Sequence, residues 1–193
     1  MGCETVTKTS ILREVARPLM RKVIRNTDIT IPTRRLCVDS LLFSKSAFQA
    51  GTWPSLNTAE YITFKKPVMV IYRALAGCDD LAHGIVHSHL AILRQIKAMR
   101  PAVLLRYYRI KTAMRLAVKQ PLLILVALLA AKPARRSWLK ALEADLLWIA
   151  TYTSTFAELL AAGDRRVAPF FQMCRAEPKG WIGHLEKSFL RMS

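Results

Sequence analysis

Three groups of residues in this 193-residue chain have types and spacings that could do chemistry. Asp79 and Asp80 are adjacent carboxylates, a pair of the kind that can hold magnesium for phosphoryl transfer. Glu143 and Asp145 make a looser pair near Trp148. His83 and His87 would place two imidazoles on one helical face at a zinc-compatible spacing, close to Cys78 and His89. None of these patterns is specific. Adjacent aspartates are common by accident, Gly84 interrupts the histidine helix, and no second ligand pair is evident; a solvated connector capped by Asp79 or Asp80 accounts for the segment. No phosphate-binding glycine loop, nucleophile elbow or H-E-x-x-H helix occurs. The sequence therefore assigns no catalytic residue, metal ligand or cofactor, and the chain is expected not to be a self-sufficient enzyme.

Cationic side chains are more informative. Lys and Arg number 30 against 13 Asp and Glu, a formal charge of +17. A field of this size attracts polyanions, chiefly nucleic acid or anionic lipid, and opposes compaction by self-repulsion. Arg13, Arg17, Arg21 and Arg25 recur every four residues, so on one helix they form a row beside the apolar stripe. Guanidinium groups spaced by a turn can follow a phosphate backbone, and Arg suits bidentate phosphate contacts. The plain alternative is a solvated face, weakened because only Glu14 lies among them. A second group comprises Arg94, Lys97, Arg100, Arg106, Arg109, Lys111 and Arg115, with Tyr107 and Tyr108 inside it. Cations interleaved with aromatics can combine phosphate contact with base stacking; here the tyrosines read better as core residues, and the charges as the nucleic-acid contacts.

The elements that must carry these residues read as helices. Glycine is scarce, at 7, and Ala, Leu, Arg and Lys abound, a composition for helix rather than sandwich or barrel. The expected fold is all-α, an irregular bundle of about seven to nine helices. The first covers 9–26, with Ser10 as N-cap, an apolar stripe from Ile11 to Ile24 and a break at Pro18. A second, 33–49, should bury Leu36, Leu41, Leu42 and Phe48. A third starts at Asn57 or Thr58, buries Tyr61, Phe64, Val68, Ile71, Tyr72 and Leu75, and ends at Gly77. Thr58 as its N-cap would lack the glutamate of a capping box. Further helices fall at about 85–99, 102–119, 121–131, 136–150, 153–162, 165–175 and 179–191. Pro121 to Ala131 is an apolar run too short for the roughly 20 residues of a spanning helix, so it is expected to be fully buried. The chain divides into a basic segment at 1–77, a connector at 78–84 and a helical bundle at 85–193.

Cys3, Cys37, Cys78 and Cys174 are far apart, which suggests neither a zinc ribbon nor a disulfide framework. No secretory signal is visible, so a reducing intracellular setting, nucleus or cytoplasm, is expected. Met1-Gly2-Cys3 approaches a dual acylation signal at Gly2 and Cys3, but Val6 stands where Ser or Thr is wanted. Two lipid chains with a basic patch would suffice as a membrane anchor.

The stretch Ala50-Gly51-Thr52-Trp53, continuing through Tyr61 and Phe64 to Ile71-Tyr72-Arg73, resembles the segment after the polymerase core of LINE-type (non-LTR) retrotransposon reverse transcriptases. In that family a glycine–tryptophan turn is followed by a helix ending near Tyr-Arg. Arg34-Arg35-Leu36, Leu41-Leu42-Phe43-Ser44, Trp138-Leu139, Asp145 to Trp148 and Pro178 to Trp181 extend the likeness, which covers roughly 10–185. The resemblance implies a thumb and post-thumb region that grips a template–primer duplex, with Gly51, Trp53, Tyr72 and Arg73 as structural positions and Arg34 and Arg35 added to the nucleic-acid contacts. It implies no polymerase activity. The family's metal-binding Asp pair lies upstream of such a segment, whereas Asp79-Asp80 follows the Trp53 turn. The expected function is a non-catalytic module that binds RNA or DNA, a retroelement piece whose missing polymerase domains would be partners in trans. A lipid-anchored peripheral membrane protein and a non-functional remnant are the alternatives.

Overall fold

A computed structural model describes residues 2–43, 50–78, 88–130, 137–163, 165–178 and 180–191. Every regular element among them is helical, and the fold is all-α. The chain forms two compact units, one from residues 1–49 and 56–103, the other from 50–55 and 104–192. The expected connector at 78–84 lies, apart from Cys78, outside the described residues.

The first unit opens with α1, Gly2–Leu19. It begins well before Ser10, which is an exposed interior residue and not a cap. Within this polar stretch the Thr9 hydroxyl donates to the Val6 carbonyl at 2.8 Å, which satisfies the buried hydroxyl inside the helix. Pro18 lacks the N–H that would continue the ladder, and the chain responds with a π-helical turn, Met20–Ile24. The Arg25 N–H closes that turn on the Met20 carbonyl at 3.0 Å.

After extended Thr30, α2 (Ile31–Cys37) carries Pro32 in its first turn, where proline costs no hydrogen bond. It too passes into a π-helical turn, Val38–Phe43. The altered winding changes which side chains face inward. Val38, Leu42 and Phe43 are buried, while Leu36 and Leu41, expected in the core, are exposed. Phe48 lies outside the described residues.

Helix α3 spans Thr58–Ala76. Its N-cap is Asn57, one residue ahead of Thr58, and this restores the capping box that the Thr58 register lacked. The Glu60 N–H donates to Asn57 Oδ1 at 2.8 Å, and the Asn57 N–H to Glu60 Oε2 at 2.8 Å. Gly77 ends the helix in the left-handed region at φ 70°, as expected. Phe64, Val68, Ile71, Tyr72 and Leu75 are buried; Tyr61 is half-buried. Phe43 meets Tyr72 edge-on, with ring centroids 5.8 Å apart. Helix α4, His89–Ile96, is capped by Ser88 and stopped by Lys97, which adopts φ 51° without being glycine. Both α1 and α4 pack on α3.

The second unit contains most of α5 (Pro101–Lys119), followed by α6 (Leu122–Ala130), α7 (Trp138–Tyr152), a 3-10 segment (Ser154–Leu160), α8 (Val167–Ala176) and α9 (Gly180–Arg191). Ile110, Leu142, Leu146, Phe156, Phe170 and Phe189 are fully buried. Helix α6 overturns an expectation. Within this apolar helix only Leu125 is buried, and Leu122, Leu123, Ile124, Val126 and Leu129 face solvent. Among the described residues no helix is long and apolar enough to cross a membrane.

Candidate nucleic-acid interface

Cations of the first unit gather around a groove between α1 and α3. Arg13 and Arg17 extend from α1; Lys65, Lys66 and Arg73 extend from α3; His89 opens α4. The groove encloses about 700 Å³, and its apolar lining includes Ala16, Met20, Pro67, Met69 and Ile71. Among the described residues no acidic side chain lines it. The helix pattern explains the arrangement. Buried Phe64, Val68 and Ile71 fix the inner face of α3 and leave Lys65 and Lys66 on its flank, just as Leu12 and Ala16 fix α1 and turn Arg13 and Arg17 outward.

The expected row of four arginines does not continue as one line. Arg13 and Arg17, one turn and about 6 Å apart along the axis, line the groove. Arg21 and Arg25 are exposed but lie in and after the π-helical turn, where the four-residue spacing no longer keeps side chains on one face.

His89 is held close to Arg73, with Nη2 of the guanidinium 2.9 Å from the imidazole Nε2. Because the guanidinium can only donate, Nε2 is the acceptor and the ring is neutral. Burial lowers the His89 pKa from 6.5, and the charges of Lys65 and Arg73 lower it further. Burial first, and the neighbouring cations second, thus disfavour a further proton on the ring.

Other expected contact residues are committed inside the fold. Arg34 is buried and donates to the Ile24 carbonyl at 2.8 Å, closing the end of the first helical segment. Arg35 donates to the Lys97 carbonyl and lies 3.5 Å from Asp39. Neither is presented as a phosphate contact. Arg94, Lys97 and Arg100 are exposed in the first unit.

In the second unit Arg109 is a structural residue. Its side chain is 6% exposed and pairs with buried Asp145, while its Nε donates to the Trp53 carbonyl at 2.9 Å. Arg106 reaches the other Asp145 oxygen at 3.1 Å and stacks over Trp148, 4.9 Å from the ring centroid. Burial holds the Asp145 carboxyl above its usual 3.8, against the opposing pull of Arg109 and then Arg106. Lys111 donates to the Tyr107 hydroxyl at 2.7 Å. Tyr107 is buried edge-on against Phe189. Arg115, by contrast, is exposed.

The residues of the glycine–tryptophan turn lie at the same hub. Trp53 is buried, and the Trp138 indole N–H donates to the Gly51 carbonyl. A Cβ on Gly51 would sit 2.6 Å from the Tyr108 carbonyl oxygen and against the Thr112 side chain. Tyr72 and Arg73 belong instead to the first unit, one in the core and one at the groove. Glu143, the neighbour of the Asp145 pairing, caps α8 by accepting from the Arg166 and Val167 N–H groups at 2.9 and 3.0 Å.

Asp79, Asp80, His83 and His87 lie outside the described residues; among those described, no cluster of His, Cys, Asp and Glu could hold a metal. Gly2 and Cys3 fall in the first turn of α1. Lys65, Lys66, Arg73 and His89 are the charged or titratable groove residues that the sequence does not mark as contacts, Arg73 being expected only as a structural position. The adjacent lysines on a helix with a defined buried stripe are the signal that could have found the first two. No protein-family model, curated protein or solved structure matches the chain.

Proposed function

We propose that this chain is a non-catalytic helical module that binds the phosphate backbone of a nucleic acid through the α1–α3 groove. The observation that carries this is the convergence of Arg13, Arg17, Lys65, Lys66 and Arg73 on one groove with no acidic residue in its lining among the described residues. Phosphates can bridge two such walls, and the arginines can grip them in bidentate fashion. Among the described residues no aromatic side chain lines the groove for base stacking, so recognition rests on backbone charge and shape and not on sequence. The resemblance around Ala50 to Arg73 supports a retroelement origin, a thumb-like piece that meets its polymerase domains in trans within the nucleus or cytoplasm.

Fluorescence anisotropy with labelled duplex and single-stranded RNA and DNA tests the proposal. Binding should be tightest at low ionic strength and fall log-linearly with salt, with a slope of about −0.9 for each duplex phosphate neutralised. Absence of binding to all four ligands at low salt overturns it.

A further inference from the structure

Helix α6 has no fold-based reason to be as apolar as it is. Its sequence, LLILVALLA, contains no polar side chain, yet Leu122 is 63% and Leu123 78% exposed, and Ile124 and Val126 are each 52% exposed. A contiguous apolar surface of this kind marks an interaction site.

The charges that flank it in the sequence indicate what covers it. Arg115 and Lys119 precede the helix, and Lys132, Arg135 and Arg136 follow it; no acidic residue occurs between Asp80 and Glu143. A second copy of α6 would bring two such basic flanks together at a cost. An anionic bilayer surface complements both features, taking the leucines into its acyl boundary and the cations onto its headgroups. Helix length sets the mode of contact. Nine residues extend about 14 Å, less than half of the roughly 30 Å hydrocarbon core, so the helix lies in the interface and does not cross.

The corner that presents α6 is fixed. Arg175 of α8 donates from Nη1 to the carbonyls of Ala117 and Gln120, both at 3.0 Å, and so secures the end of α5 just before Pro121. Val118, also exposed, adds an apolar side chain at that corner.

We infer that α6 is a membrane-surface anchor that docks the second unit on anionic phospholipid. Unlike the nucleic-acid contact, it uses an apolar helix and needs no residue of the α1–α3 groove.

Vesicle co-sedimentation of the full, unacylated chain tests this, with phosphatidylcholine vesicles that contain or lack phosphatidylserine. The parent should bind the serine-containing vesicles, and a Leu123→Gln/Ile124→Gln variant should lose about tenfold in partition although its charge is unchanged. Its nucleic-acid affinity should stay the same, which separates this proposal from the groove. Equal vesicle binding by parent and variant would show adsorption by charge alone and overturn the anchor. A parent that is dimeric by light scattering, and monomeric once substituted, would assign the helix to a second copy and also overturn it. A Leu123→Trp variant gives a second reading: its added emission should shift to the blue on vesicles, and an unshifted emission contradicts insertion.

Discussion

Replacing Asp145 by Ala should unfold the second unit far more readily than any surface substitution. Its carboxylate is 5% exposed, accepts from two arginines and balances an Arg109 side chain that is 6% exposed. Removing it leaves the Arg109 guanidinium buried with, among the described residues, the carbonyls of Trp53 and Pro54 as its acceptors. Breaking a buried pair from one side costs about 3–5 kcal/mol, and this geometry places the cost in that range. Arg106 is the internal control. Its side chain is 33% exposed and can turn to water, so Arg106→Gln should cost less than about 1 kcal/mol. The assay is urea unfolding followed by tryptophan emission, which reports on this unit alone because Trp53, Trp138, Trp148 and Trp181 all belong to it. An Arg109→Met/Asp145→Leu double variant should recover part of the loss, since no charge remains buried there. An Asp145→Ala cost below about 1 kcal/mol, or equal to that of Arg106→Gln, would refute the buried pair as the hub of the unit.

Four further outcomes follow from particular contacts. Gly51→Ala should destabilise the same tryptophan-monitored transition by about 1–3 kcal/mol, because the new methyl meets the Tyr108 backbone carbonyl, which cannot swing aside. Cys174 is buried and its thiol is pushed up to about 12 from 9.0, so it should resist alkylation in the folded chain while half-buried Cys37 and Cys78 react. Between pH 9.0 and about 12 the unfolded thiol ionises and the folded one does not, so stability should fall as pH rises through that window, and Cys174→Ala should remove that component. Bound phosphate should favour protonated His89, whose pKa lies below 6.5 in the free chain; anisotropy titrations should show affinity rising as pH falls below 6.5, with His89→Gln abolishing the dependence.

Helix class and most helix positions are legible in the sequence, since the apolar stripes and the punctuation by Gly77, Pro101 and Pro121 are local signals. The errors arise where the winding departs from the standard helix. The π-helical turns at Met20–Ile24 and Val38–Phe43 break the four-residue rule on which the arginine row and the burial of Leu41 depend, whereas exposed Leu36 lies in the regular helix ahead of the second turn. Asn57 was missed as a cap by one residue, although Glu60 three positions on carries the pattern. The commitment of Arg109 to Asp145 has no local trace, because the partners are 36 residues apart. Apolarity alone also could not show whether α6 is buried or presented; only its placement decides that. The groove was half legible: the α1 arginines stand out by spacing, whereas Lys65 and Lys66 acquire meaning only once α3 lies beside α1.

The groove itself is tested most directly by comparing two variants with the same loss of charge. One replaces Arg13, Arg17, Lys65 and Lys66 by Gln; the other replaces Arg94, Arg100, Arg115 and Lys140, all exposed and outside the groove. The salt dependence of duplex binding is then measured for both and for the parent. If the groove holds the phosphates, the first variant should lose about 0.9 of log–log slope for each contact removed, and the second should keep nearly the parental slope and most of its affinity. Equal losses in the two variants would mean that the overall field attracts the nucleic acid, and would contradict a located binding site.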